Sequence, residues 1–189
     1  MEPGIVNAHV DIYLLKRPDS ISLNEICDDL YKFAHNQAKK KRLSFEINLP
    51  PTYDQILLHA DYQRLLQIML NLLGNSLKFT DEGGITINAE IVTKPIEFQN
   101  LTLPGMVKIN VEDTGIGVSL EKQEQLFETF YQVDGSRTKT YGGTGLGLAI
   151  SRRLVEGMGG KISFYSMGEL LGSTVTVTIP LAQLPVLKS

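Results

Sequence analysis

The segment NLLGNSLKFT, residues 71–80, decides the fold because it places polar side chains on an otherwise apolar helix. Asn71 and Asn75 are four residues apart and Lys78 follows three residues later, so all three share one helical face. Burying two amides and an ammonium on an otherwise apolar helix costs free energy unless they contact polar groups. Amide oxygens suit Mg²⁺, and an ammonium can hold a phosphate. A solvated helix edge explains the same residues equally well, so this segment alone leaves both interpretations open.

The hydrophobic pattern on either side of this segment predicts alternating strands and helices. Asp61 is a candidate N-cap, and Ser22 and Glu25 have capping-box spacing. Helices are predicted over residues 23–42, 62–79, 120–127 and 146–158. Strands are predicted over residues 43–49, 56–60, 85–91, 107–113, 162–166 and 174–179. This order indicates an α+β fold, a two-layer α/β sandwich in which a mixed sheet carries helices on one face.

Length and composition restrict the class of protein. The 189 residues carry a formal net charge of −3 and 42% are hydrophobic, which fits one domain with a sizeable core. The near-neutral charge argues against a nucleic-acid partner, because phosphate-backbone binding needs clustered Lys and Arg. The single cysteine, Cys27, excludes an internal disulfide and a multi-cysteine metal site. No apolar run reaches the roughly 18 residues of a membrane-spanning helix.

A second motif, DTGIGV at residues 113–118, ends a predicted strand. A carboxylate accepts hydrogen bonds and does not donate them, so Asp113 suits an amino donor such as that of adenine. Gly115 and Gly117 would let the backbone approach a ligand closely. An ordinary strand-ending turn is the alternative interpretation of this motif.

Two further motifs follow in the chain. In LFETFYQVD, residues 126–134, core packing is the better interpretation of Phe127 and Phe130 themselves. In GGTGLGLAI, residues 142–150, glycines precede a helix, so free backbone N–H groups and the helix N-terminus form an anion site. A dinucleotide fingerprint would need these glycines directly after an early strand, and here they follow a long polar loop. The phosphate-loop pattern ending GK[ST] is absent from the sequence.

Together the four motifs resemble the sensor histidine kinases, and most of all the hybrid type. They correspond in order and spacing to the N box, the first glycine box, the F box and the second glycine box of that family. The resemblance runs from about residue 22 to residue 181 and implies a Bergerat-type ATP-binding fold. Gyrase, the large heat-shock chaperone and mismatch-repair ATPases share this fold, but they carry a glutamate base where Asn71 stands. An amide cannot act as that base, so slow ATP hydrolysis and transfer of the γ-phosphoryl to a partner are expected.

The resemblance implies a role for each residue of the first two motifs. Asn75 corresponds to the principal Mg²⁺ ligand, and Asn71 to a residue that supports the metal and the phosphates during catalysis. Lys78 corresponds to a phosphate-binding catalytic residue, and Phe79 to an aromatic near the nucleotide. Asp113, with Gly115 and Gly117 beside it, corresponds to the acceptor of the adenine amino group. ATP and Mg²⁺ are therefore the expected cofactors.

The glycine-rich motif corresponds to the ATP lid and its hinge. Residues 134–141 match the lid, in which Arg137 is a candidate catalytic residue that stabilises the transferring phosphoryl and Lys139 a weaker one. Solvated loop charge remains the alternative for both. The cofactor-binding residues expected at the hinge and phosphates are Gly143, Thr144, Gly145, Leu146 and Gly147.

The phosphoacceptor box of the family has no counterpart in this sequence. Its histidines, His9, His35 and His59, lie in the contexts NAHVD, KFAHNQ and LLHAD, none of which resembles that box. We therefore expect an excised domain that cannot autophosphorylate. Residues 1–20 would be a tether or the remnant of a dimerisation helix, 21–183 the catalytic ATP-binding domain and 184–189 a C-terminal tail.

Partners and location follow from the same resemblance. The expected partners are the dimerisation and phosphoacceptor domain of the parent kinase and a downstream response regulator or receiver domain. The isolated domain should be monomeric and cytoplasmic, and its parent either soluble or membrane-bound. Alternatives are a serine kinase of the anti-sigma or mitochondrial-dehydrogenase type, and a nucleotide-sensing module without catalysis. Intact motifs argue against both.

Overall fold

The computed structural model describes residues 19–128 and 147–188, and it confirms the predicted α+β class. Within these ranges the helices are Leu23–Lys41 (α1), Tyr62–Phe79 (α2), Leu120–Gln123 (α3) and Gly147–Gly157 (α4), and a 3₁₀ turn over Glu124–Phe127 follows α3. The strands are Asp19–Ser22 (β1), Ser44–Asn48 (β2), Tyr53–Gln55 (β3), Leu57–Ala60 (β4), Gly84–Val92 (β5), Ile96–Phe98 (β6), Leu101–Leu103 (β7), Met106–Asp113 (β8), Lys161–Tyr165 (β9), Ser173–Pro180 (β10) and Val186–Leu187 (β11).

A five-stranded sheet in the order β2-β5-β8-β10-β9 forms one layer. β2 and β5 are parallel and the other neighbours are antiparallel, so the sheet is mixed as predicted. Val111 lies opposite both Ile87 and Val175, and all three side chains are buried. The alternation of apolar residues along each strand therefore builds one continuous inner face.

The helices cover this inner face, with α2 at the centre of the core. The buried apolar side chains of α2 recur at helical spacing and belong to the same cluster as the inner strand residues; they are Leu65, Ile68, Met69, Leu72, Leu73 and Leu77. The outer face of the sheet is polar. Asn88 accepts a hydrogen bond from Asn48 and donates one to Glu112, and Asn110 accepts one from Thr176. This division gives the two-layer sandwich with helices on one face.

The two helix starts that the sequence proposed behave differently. Asp61 caps α2 as predicted, because its Oδ1 accepts from the Arg64 N–H at 2.9 Å. The capping box at the start of α1 is wrong, since Ser22 makes no side-chain cap bond. Ser22 instead ends β1, and the first helical amide, that of Leu23, donates to the Ile56 carbonyl at 2.9 Å. This bond uses the Leu23 N–H, whereas a capping box would use the Glu25 N–H.

Smaller pairings complete the fold. β1 pairs with β4 and β11 pairs with β3, so residues near both ends of the described chain join the domain. Residues 94–105 contain the β6–β7 hairpin. Its two turn residues, Gln99 and Asn100, have φ of 49° and 62°, as a two-residue hairpin turn requires. Among the described residues no helix has the length and apolarity needed to cross a membrane.

Candidate nucleotide site

The polar face of α2 forms one wall of the candidate site. Asn71, Asn75 and Lys78 are all half-buried, while the opposite face of the helix lies in the core. The Lys78 Nζ lies 4.9 Å from the centroid of the Phe79 ring. No described residue forms a hydrogen bond with the Asn75 amide. Half-buried amide oxygens are hard ligands of the kind Mg²⁺ prefers, so these residues fit the ion expected from the sequence.

Asn71 joins this wall to the beginning of α4. Its Nδ2 donates to the Ser151 Oγ at 3.2 Å. A Cβ placed on Gly147 would lie 2.6 Å from the Asn71 Oδ1, closer than real Cβ atoms come to a neighbour. Glycine at 147 therefore allows the N-terminus of α4 to pack against the amide. The first N–H groups of a helix have no partner within the helix, so this end of α4 is a candidate anion site beside the polar face of α2.

Asp113 stands at the end of β8, and donors already surround its carboxylate. Oδ1 accepts from the Gly115 N–H at 2.9 Å, which fixes a tight turn after the strand. Oδ2 accepts from the Ser76 Oγ at 3.1 Å and from the Ser173 Oγ at 2.8 Å. Each carboxylate oxygen has about two acceptor positions, so Oδ1 keeps one for a ligand donor. This geometry fits an amino group of adenine.

Gly115 and Gly117 are required by close contacts. A Cβ on Gly115 would lie 2.5 Å from the Phe79 carbonyl oxygen, and one on Gly117 would overlap the Gly168 carbonyl oxygen. Gly117 also has φ of 59°, a left-handed conformation that favours glycine. These glycines therefore let the loop after β8 pack closely against the end of α2 and the turn after β9.

The last turn of α2 connects the two halves of the site. The Phe79 carbonyl accepts from the Ile116 N–H at 3.1 Å, which ties α2 to the loop after Asp113. Lys41, at the end of α1, donates from Nζ to the Leu77 carbonyl at 2.8 Å and to the Thr80 carbonyl at 2.6 Å. The basic end of α1 therefore satisfies the carbonyl end of α2. Phe79 and Lys78 lie on the turn held in this way.

Phe127, of the third motif, is half-buried and lies outside the main core cluster. The Arg152 guanidinium of α4 lies 5.7 Å from the centroid of its ring and also bonds Glu156 at 3.0 Å. The contact joins the 3₁₀ turn to α4 through a cation–π interaction. The core packing expected for Phe127 is thus a partial contact with α4, and Phe130 lies outside the described residues.

Several residues expected at the site lie outside the described ranges. They are Arg137, Lys139, Gly143, Thr144, Gly145 and Leu146, together with the whole segment 134–141. Their roles stay predictions from the sequence. Of the glycine-rich motif, Gly147 is described, and it meets Asn71 as stated above.

The sequence did not identify Lys41 as a contact of this site, nor the serines Ser76, Ser151 and Ser173. Ser76 follows Asn75 directly, and Ser151 follows Gly147 by one helical turn. Their closeness to a motif in the sequence was the one signal that could have identified these two serines as site residues. Ser173 and Lys41 gave none, because they meet the site through the strand register and the packing of α1 on α2.

Comparison with known proteins places this geometry in a family. Residues 60–183 match the model of the histidine kinase-, DNA gyrase B- and HSP90-like ATPases. The match covers most of the chain, including α2, Asp113 and α4. The chain belongs to this family of ATPases.

The relatives narrow the class further. The chain is 35% identical over 162 residues to hybrid signal transduction histidine kinase K of Dictyostelium discoideum. This alignment covers 85% of the chain and 13% of that kinase. The chain is 36% identical over 145 residues to the signal transduction histidine-protein kinase BarA of Escherichia coli. That alignment covers 77% of the chain and 15% of BarA. The chain therefore spans a small part of the length of these relatives.

Solved structures agree with the relatives. Full-length ShkA in complex with AMPPNP superposes with a TM-score of 0.70 at 28% identity, over 89% of this chain and 32% of ShkA. The nucleotide-free catalytic domain of the histidine kinase ThkA superposes with a TM-score of 0.67 at 24% identity, over 86% of this chain and 96% of that domain. The domain is thus an ATP-binding catalytic domain of the histidine kinase type, with the Bergerat fold.

Proposed function

We propose that the domain binds ATP with Mg²⁺ and transfers the γ-phosphoryl to a histidine side chain in a dimerisation domain of its parent kinase. The observation that carries this proposal is the amide of Asn71 on the polar face of α2, beside the N-terminus of α4. Family ATPases that hydrolyse ATP would need a base at this point to activate water, and an amide cannot serve as one. A site without such a base favours transfer to a nucleophile that a partner supplies.

Each part of the nucleotide has a counterpart in the site. Asp113 accepts from the adenine amino group, and the loop with Gly115 and Gly117 lies beside the base. Lys78 and the N-terminus of α4 hold the phosphates through charge and free N–H groups. Asn75, supported by Asn71, would hold Mg²⁺. The ion, when bound, supplies positive charge that offsets the charge of the phosphates.

Arg137 and the segment 134–141 would close over the phosphates. A guanidinium there would stabilise the charge of the phosphoryl as it leaves ADP. The hinge residues Gly143, Thr144, Gly145 and Leu146 would contribute backbone N–H groups in the same place. This part of the proposal rests on the sequence motifs.

The direct test gives the domain ATP, Mg²⁺ and a separate dimerisation fragment of the same parent. We expect the fragment to acquire phosphate that is lost in acid and retained in alkali, as a phosphoramidate requires. A fragment whose acceptor histidine is replaced by alanine should acquire none. Label that survives acid would indicate a hydroxyl acceptor and the serine-kinase alternative. Rapid release of inorganic phosphate without transfer would overturn the kinase proposal.

We also propose the partners and state of assembly. A receiver domain or response regulator would take the phosphoryl from the histidine, in line with the hybrid type of the Dictyostelium relative. The domain alone should be monomeric, because dimerisation belongs to the helices that carry the acceptor. Sedimentation should show one species at the monomer mass at micromolar concentration, and a stable dimer would contradict this proposal. A cytoplasmic location fits a domain that consumes ATP.

A further inference from the structure

Ser151 is a buried polar residue of α4 that faces the polar wall of α2. Its side chain is 2% exposed, and its Oγ accepts from the Asn71 Nδ2 at 3.2 Å. Ser151 lies one helical turn after Gly147, so both residues present the same face of α4 to Asn71. Asn71 thus lies against two successive turns of α4: its NH₂ donates to Ser151, and a Cβ on Gly147 would lie 2.6 Å from its Oδ1 and 2.9 Å from its Nδ2.

This arrangement gives the Asn71 amide a direction. An asparagine amide has a donor end and an acceptor end of nearly the same shape, and its hydrogen bonds decide which end points where. In the structure the Asn71 NH₂ donates to the Ser151 Oγ, a hydroxyl that is able to accept or to donate. The Asn71 Oδ1 has no hydrogen-bond donor among the described residues.

We propose that Ser151 is a positioning residue, which holds the Asn71 amide with its oxygen toward the bound metal and phosphates and so sets how strongly Mg²⁺ improves nucleotide binding. The inference rests on the proposed function, because it gives Asn71 the supporting place beside Asn75. With the Asn71 oxygen on the cation, the NH₂ needs an acceptor, and the Ser151 hydroxyl supplies it. Without that hydroxyl this orientation loses its acceptor. An NH₂ turned toward the cation offers it no lone pair and is repelled by it.

The alternative is that Ser151 only helps α4 pack against α2. The two roles make different predictions for Ser151→Ala. Alanine is smaller by one oxygen atom and is a better helix former, so packing of α4 should change little. If Ser151 served mainly in packing, its replacement would instead alter the melting temperature, and would alter nucleotide binding equally with and without Mg²⁺. A positioning role would alter the Mg²⁺ effect selectively.

The experiment measures the dissociation constant of ADP by calorimetry with Mg²⁺ and with EDTA, beside a thermal melt. The Mg²⁺ gain is the ratio of the two constants. In Ser151→Ala we expect this gain to fall about threefold to tenfold, as loss of one neutral hydrogen bond implies. The affinity without Mg²⁺ and the melting temperature should stay close to those of the wild type. Ser151→Thr keeps the hydroxyl and should retain more of the gain than Ser151→Ala.

Ser76→Ala is the matched comparison. Ser76 is also a buried serine, 4% exposed, but its hydroxyl bonds the Asp113 carboxylate on the adenine side. This variant should change ADP affinity by the same factor with and without Mg²⁺. A lower Mg²⁺ gain in Ser151→Ala together with an unchanged gain in Ser76→Ala would show that Ser151 acts on metal-dependent binding and not on packing in general.

A double-mutant cycle with Asn71→Ala distinguishes the ways of failing. If Ser151 acts through Asn71, adding Ser151→Ala to Asn71→Ala should reduce the Mg²⁺ gain no further. If Asn71→Ala lowers the gain and Ser151→Ala leaves it intact, the positioning role is overturned and the proposed function stands. If Asn71→Ala leaves the gain intact, the metal support assigned to Asn71 is wrong and the positioning role falls with it.

Discussion

Replacing Asp113 by asparagine tests the adenine contact, because the structure shows what surrounds each carboxylate oxygen. Oδ1 accepts from the Gly115 N–H, and Oδ2 accepts from the hydroxyls of Ser76 and Ser173. An asparagine can keep its oxygen toward Gly115 and turn its NH₂ toward the two serines, since a hydroxyl accepts as readily as it donates. The turn after β8 should survive, and the substitution should remove mainly the negative charge.

The size of the effect follows from that charge. A hydrogen bond to a charged acceptor contributes about 1.5–3 kcal/mol, and one to a neutral acceptor about 0.5–1.5 kcal/mol. Asp113→Asn should therefore weaken ADP binding by about 1–1.5 kcal/mol, which is roughly fivefold to twelvefold in the dissociation constant. Asp113→Ala loses the whole bond and also leaves Ser76 and Ser173 without their acceptor. Its loss should reach about tenfold to 150-fold, with a lower melting temperature.

Calorimetry with ADP and inosine diphosphate makes the assay specific for the amino group. Inosine carries a carbonyl oxygen where adenine carries the amino group, so the Asp113 carboxylate should reject it. The asparagine variant can offer its NH₂ to that oxygen, and its preference for ADP should shrink. Equal loss of both nucleotides would show that Asp113 acts on the fold of the loop. Unchanged ADP affinity in a normally folded variant would refute the adenine assignment.

Three further substitutions separate function from stability. Asn75→Ala should leave the melting temperature equal or slightly raised, because alanine is the better helix former, and should abolish most of the gain in ADP affinity from Mg²⁺; a normal gain would remove Asn75 from the metal site. Lys41→Met should lower the free energy of unfolding by about 1–2 kcal/mol in urea titrations, since it removes charged hydrogen bonds to the carbonyl groups at the end of α2. Lys40→Met, on the same helix, should not lower it. Equal effects of the two substitutions would contradict the role of Lys41 as a cap of α2. Tyr62 donates to the Asp29 carboxylate at 2.6 Å, and this bond raises the pKa of Tyr62 to about 12. Because the folded pKa lies above the ordinary value of 10.0, the bond stabilises the protein fully below about pH 10 and is lost as the pH rises toward 12. The wild type should therefore be more stable than Tyr62→Phe at neutral pH, and the two should converge in alkaline urea titrations; a constant difference would contradict this sign.

The sequence predicted the parts of the fold that depend on local pattern. The apolar period of α2, the strand alternation around Val111 and the cap at Asp61 each depend on residues close together in the chain, and each is confirmed. Asp113 could be chosen as a candidate because a carboxylate at a strand end, followed by two glycines, is a local signal. These features need no knowledge of what lies across the fold.

Contacts across the fold gave weaker signals or none. Ser151 and its partner Asn71 are 80 residues apart in the sequence, and Ser173 and its partner Asp113 are 60 apart. The contacts of these serines therefore depend on helix packing and strand register. A serine can satisfy its hydroxyl in many surroundings, and its type alone does not reveal its partner. The capping box at Ser22 failed for a related reason. Ser22 ends β1, which pairs with β4, and the Leu23 N–H bonds the Ile56 carbonyl; a local motif cannot anticipate either contact.

The geometry makes α2 the common support of both halves of the site. Its Asn71 reaches α4 on the phosphate side, and its Ser76, little more than one turn later, reaches Asp113 on the adenine side. The Phe79 carbonyl then ties the end of the same helix to the loop after Asp113. Because the opposite face of α2 is packed in the core, these groups are held by a helix, which fixes geometry more closely than a loop. The two halves are joined through the backbone of α2 and have separate side-chain contacts. Changes at Ser151 and at Ser76 should therefore affect metal-dependent and metal-independent binding separately, although both serines are buried in the same domain.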